Sequence, residues 1–98
     1  MNPSQTIIVG TENGNFEITI EEIKKKNSYQ AYVKPPEEEN FTELENKPSA
    51  KDCFDVVIKR ILKGNSISSI KNECGNELLS KKDQESILQK YDLSISVK

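Results

Sequence analysis

Histidine is absent from this sequence, which removes the commonest general base, the usual activator of a nucleophile and the commonest zinc ligand. Most familiar active sites are excluded with it. Tryptophan is also absent, and only three Phe and three Tyr occur, so the interior must be built from Ile, Leu and Val. The two cysteines, Cys53 and Cys74, stand 21 residues apart with no CxxC spacing, and such a pair builds no zinc site. Secreted domains of this size usually carry several disulfides, so the cysteine usage predicts a cytoplasmic protein. Cys53 falls inside an apolar helical stripe and reads as core, a Cys53–Cys74 bridge being the alternative. The glycines at 10, 14, 64 and 75 stand singly, so no glycine-rich phosphate loop is present and no cofactor is implied. Met1 to Gln5 carry no positive charge, and the longest apolar run near them is Ile7 to Val9. That run is far too short for a signal segment or a membrane span, and no membrane partner is expected.

What is present describes one α+β domain over residues 1–98. About a third of the 98 residues are apolar and about a third charged, a balance typical of folded domains. A chain this short buries only roughly 60 to 65% of its unfolded surface, so a partner or a second copy would add stability. Net charge is −2, too small for long-range attraction to a polyanion. Its distribution is uneven. Residues 1–55 hold 6 Lys against 11 Asp or Glu, net −5, and residues 56–98 hold 8 Lys or Arg against 5 acids, net +3. An acidic first half predicts a basic partner.

Along the chain, the β-branched run Thr6 to Val9 is followed by Asn13-Gly14, a pair suited to the positive φ of a tight hairpin turn. Phe16, Ile18 and Ile20 then alternate with Glu17, Thr19 and Glu21, the period of a strand with one buried face. After a polar turn at 24–27, Tyr29, Ala31 and Val33 resume the alternation until Pro35-Pro36, which cannot donate to a ladder. Phe41 to Glu45 is a further short strand candidate. The sheet is therefore expected to be antiparallel, with three to five strands. Ala50, Cys53, Phe54, Val57, Ile58, Ile61 and Leu62 form an unbroken i, i+3, i+4 stripe and predict the main helix, 50–63. Ser49 is placed to cap it, Asp52 suits its dipole, Lys59, Arg60 and Lys63 crowd its far end, and Gly64 is placed for a left-handed cap. Ile67, Ile70 and Cys74 suggest a short helix closed by Gly75, and Ser80 to Asp83 cap a second one bearing Ile87, Leu88 and Tyr91. Leu93, Ile95 and Val97 alternate with Ser94 and Ser96 as a closing strand.

Three charged groups are candidate sites. Glu37, Glu38, Glu39 and Glu43 cluster after the proline pair and predict a partner-binding surface, the bland alternative being a solvated loop. Lys24, Lys25 and Lys26 could meet phosphate, but Glu21 and Glu22 flank them, and a plain turn is the stronger reading. The segment 67–91 has the outline of a helix-turn-helix, with Lys71, Lys81 and Lys82 available to nucleic acid and Asp83 and Glu85 opposing them. An enzyme is not expected, because a carboxylate-based metal site would need acids from several elements converging in one pocket.

The stretch Phe16 to Glu22, then Ser28-Tyr29-Gln30-Ala31-Tyr32-Val33-Lys34-Pro35, then an acidic loop, then Pro48 to Phe54 entering a helix, resembles the N-terminal domain of HicB-type antitoxins. The family shows a strand, a "GYVAYVP"-like strand, a loop and a "GDTxEEAL" helix start. The resemblance covers residues 16–63. Two departures stand out: Ser28 occupies the place of the family's glycine, and Glu37 to Asn40 replace its usual loop. The resemblance implies a protein that covers the active surface of a small basic ribonuclease toxin with a dsRNA-binding fold. It also implies, in some members, DNA binding through a second motif. The expected function is thus a non-catalytic protein-binding module or inhibitor of a basic toxin or host nuclease, with a DNA-binding regulator as the alternative.

Overall fold

The computed structural model describes residues 2–98. Its first strand, β1 (Ser4–Thr11), turns through Glu12 and Asn13 into β2 (Gly14–Ile23), which pairs with it from Ser4↔Glu21 to Thr11↔Gly14. Gly14 takes φ 115 while Asn13 stays at negative φ, so one residue of the Asn-Gly pair supplies the positive φ rather than two. A single 3-10 turn at Lys24–Lys26, with Asn27 at φ 51, leads into β3 (Ser28–Lys34). The strand expected over 41–45 shrinks to β4 (Thr42–Glu43), extended by one bridge between Tyr29 and Lys47. The last strand, β5 (Ile67–Gly75), lies beside β1, so the antiparallel sheet runs β4-β3-β2-β1-β5.

The α+β expectation is met by this five-stranded sheet and two helices, α1 (Ala50–Leu62) and α2 (Lys81–Lys90). Ile7, Val9, Ile18, Ile20, Ala31 and Val33 face one side of the sheet. Phe54, Val57, Ile58 and Ile61 of α1, and Ile87 and Leu88 of α2, cover that side in one apolar cluster. Ser49 caps α1 by accepting from the Asp52 amide at 3.1 Å, and Ser80 caps α2 by accepting from the Asp83 amide at the same distance. Gly64 does not adopt the left-handed cap. The amides of Lys63 and Gly64 instead reach back three residues to Arg60 and Ile61, and Asn65 Nδ2 donates to the Ile61 carbonyl at 3.0 Å. The side-chain amide meets the open carbonyl, so no residue needs a positive φ.

The largest correction concerns 67–75, which is a strand and not a helix. Between Gly10↔Ser69 and Thr11↔Ile67 the ladder skips a residue. That bulge turns Ile67 and Ile70 to the same side, where both are buried. A plain strand would send residues three apart to opposite faces, so a bulged strand imitates the i, i+3 spacing of a helix. The C-terminal helix pair is therefore one strand and one helix. The closing strand at 93–97 is reduced to a single parallel bridge between Ile70 and Val97.

Candidate functional site

The carboxylates of Glu37, Glu38, Glu39 and Glu43 all lie on the connection that leaves β3 and returns as β4, and all four are exposed. Its frame is held at both ends. The Glu38 amide donates to the Pro35 carbonyl at 3.2 Å, and Pro36 packs so closely on the β1–β2 turn that a Cβ on Gly14 would lie 2.8 Å from Pro36 Cβ. At the far end Tyr32↔Glu43 and Val33↔Thr42 join the sheet. None of the four carboxylates forms an ion pair among the described residues. Between Glu39 and Glu43 stands Phe41, 42% exposed, the one large apolar side chain turned to solvent among the described residues.

The connection borders the face of the sheet that the helices leave uncovered, where Glu21 and Glu43 flank Tyr32 and Glu17 and Glu73 share a depression with Lys34 and Lys71. Tyr32 sits there opposite Glu43 and donates its hydroxyl to Glu21 Oε1 at 3.3 Å. Partial burial, then the charge of Glu21 and its hydrogen bond, then the charge of Glu43, raise the Tyr32 pKa, so the phenol stays protonated. Tyr32, Glu21 and Phe41 were not singled out from sequence. Alternation places Tyr32 opposite Ala31 and Val33 and so on the open face, but which acids flank it depends on strand register.

The basic candidates are dispersed. Lys71 projects from the middle of β5, paired with Ile8 of β1, whereas Lys81 and Lys82 open α2. Since 67–75 is a strand, the helix-turn-helix outline over 67–91 is not formed. Lys81 shares a depression with Glu73 and Glu77, which offset its charge. Lys24–Lys26 lie at the end of the sheet away from the Pro35–Asn40 loop, as the pairing Glu17↔Lys34 and Ile23↔Ser28 requires.

The remaining reactive groups are quiet. Cys53 is buried and Cys74 exposed, and both are free thiols. Burial, with a smaller contribution from the charge of Asp52, pushes the Cys53 thiol up to about 11, which keeps it protonated and inert. Among the described residues no three His, Cys, Asp or Glu side chains gather to hold a metal ion. No helix among them is long and apolar enough to cross a membrane. No family model matches the chain, and no curated protein or solved structure matches it.

Proposed function

We propose that this chain is a non-catalytic protein-binding module or inhibitor that presents Glu37, Glu38, Glu39 and Glu43, on the segment that carries Phe41, to a basic protein surface. The observation that carries this reading is the exposed Phe41 set among four carboxylates without internal partners. An exposed aromatic on a segment rich in one sign of charge suits arginine in particular, whose guanidinium can stack on the ring while its donors reach a carboxylate. A loop clamped at both ends loses little conformational freedom on binding. The likeness of residues 16–63 to HicB-type antitoxins points to the same chemistry, a small basic ribonuclease toxin or a host nuclease as the partner, met in the cytoplasm.

The test is affinity capture of the tagged chain from its native cell extract at low and high salt. The expected result is one small basic protein in stoichiometric amount, whose ribonuclease activity falls when the chain is bound. Capture should be lost in Glu37→Lys/Glu38→Lys/Glu39→Lys and in Phe41→Ala, and kept in Lys81→Glu/Lys82→Glu. Capture that survives the first two variants would exclude this surface, and recovery of nuclease-sensitive nucleic acid alone would exclude the protein-binding reading.

A further inference from the structure

The helices cover one face of the sheet, and strand register fixes what the other face presents. Lys71, Ile8, Glu17 and Lys34 form one row across β5, β1, β2 and β3. Thr6, Thr19 and Tyr32 form the next row, as the pairs Thr6↔Thr19 and Thr19↔Tyr32 require. Glu73 ends that row on β5. It is the extra residue where Thr6 pairs with Cys74 and Ile7 with Asn72. Asn72 points inward, its Oδ1 accepting from Gln5 Nε2 at 2.8 Å and from Gln84 Nε2 at 3.0 Å. Glu73 turns the other way, into the depression that it shares with Lys71 and Ile8.

Two properties set this face apart from a plainly solvated one. Ile8 is half-buried, yet it belongs neither to the apolar cluster nor to the side chains packed against that cluster. The charges around it are balanced, Lys34 and Lys71 against Glu17 and Glu73, and none of them forms an ion pair among the described residues, although Lys34 stands opposite Glu17. A partner surface of one sign would meet like charges here. A second copy meets opposite ones in one orientation. When a two-fold axis crosses the strands between the two rows, each row faces the other row of the second copy. Lys71 then stands over Glu73, Ile8 over Thr6, Glu17 over Thr19 and Lys34 over the ring of Tyr32. An axis along the strands would instead set Lys71 against Lys34.

We propose that the open face of the sheet is a homodimer interface, on which two copies stack with each strand over its own counterpart in the opposite direction. Packed sheets cross at about 30°, which displaces the rims by a few Å, within reach of a lysine side chain. With strands about 4.8 Å apart and residues about 3.4 Å apart along them, the face from Asn15 to Glu21 across β5, β1, β2 and β3 offers roughly 500 Å². Two such faces reach about 1,000 Å², where specific interfaces begin, so the dimer is weak and forms as concentration rises. Residues 37–40 take no part, and the interface does not rest on the function proposed above.

The experiment is sedimentation of the full chain in native, Lys71→Glu and Glu73→Lys forms, each checked for native circular dichroism. Both positions are exposed, so the substitutions leave the core intact. The native chain should pass from monomer to dimer between about 10 µM and about 1 mM. Each single variant sets like charges against each other in both symmetry-related contacts and should associate at least about tenfold more weakly. An equimolar mixture of the two variants should dimerise again, because each altered side chain then meets an opposite charge on the other copy. General attraction does not account for such pairing, since Glu73→Lys brings the net charge of −2 to zero. A native chain that stays monomeric at about 1 mM, a dimer unmoved by either variant, or a mixture that stays monomeric would overturn the proposal. So would loss of the dimer in Glu37→Lys/Glu38→Lys/Glu39→Lys, which would place the contact on the acidic loop instead.

Discussion

Asp55 ties the two helices together. Its carboxylate, 22% exposed, accepts from Lys90 Nζ at 2.5 Å and from the Tyr91 hydroxyl. Burial alone would raise its pKa, but the hydrogen bonds from Lys90 and Tyr91, with the charge of Lys90, outweigh that and hold it below the ordinary value. A carboxylate with a depressed folded pKa adds stability that is complete above its unfolded value of about 3.9 and is lost as pH falls through the lower folded value. Lys90 is largely exposed, so the ion pair itself is worth little. Asp55→Asn keeps an acceptor for the Tyr91 hydroxyl but loses the charge that strengthens this bond, and it is expected to cost up to about 1 kcal/mol at pH 7. The deficit should shrink towards pH 3, as read from urea unfolding at both pH values. An equal loss at the two values would show that the charge of Asp55 is irrelevant. Nothing in the sequence marks this pair, because Asp55 and Lys90 become neighbours only when α2 crosses α1.

At the scale of elements, two glycines that look alike in the sequence have opposite roles. Gly75 ends β5 at φ 100, and a Cβ there would lie 2.3 Å from the Ser4 carbonyl oxygen. Gly64 follows α1 with ordinary φ and nothing within 4 Å of an added Cβ. Gly75→Ala is therefore expected to destabilise by about 2 kcal/mol or more, and Gly64→Ala to be neutral or to stabilise by up to about 1 kcal/mol. Thermal melts of the two variants check this, and a tolerated Gly75→Ala would mean that β5 does not end against β1 as described. Both glycines read equally well as helix ends. The helix α1 was legible because its caps, stripe and dipole residues all lie within one local window. The strand β5 was not, because its bulge arises from pairing with β1 more than fifty residues away in the chain.

Over the whole molecule, the Cα radius of gyration of 12.4 Å is close to the value of about 13 Å expected for a folded chain of this length. One apolar cluster draws on both helices and on every strand except β4. Unfolding is expected to be a single cooperative step, with far-UV circular dichroism and tyrosine fluorescence giving the same midpoint in urea. Two separate midpoints would mean that α2 and residues 93–98 melt as a unit of their own. Charge is also arranged at this scale. Strand register carries Glu37, Glu38 and Glu39 to the end of the sheet that holds the β1–β2 turn and leaves Lys24–Lys26 at the other. Ionic strength should therefore weaken any complex made through the acidic end.

By itself the sequence determined the features that short windows encode. The alternation in β2 and β3, the stripe and caps of α1, the exposed acids after Pro35-Pro36 and the missing histidine are all local or compositional properties. Tertiary structure alone decided which strand lies beside β1, that Ile67 and Ile70 share a face, and that Gln5, Asn72 and Gln84 meet. It also decided that Tyr32 and Glu43 stand side by side and that Phe41 is exposed. The physical reason is common to these: strand pairing is a contact between distant segments, and a shift of one residue in register sends a side chain to the opposite face.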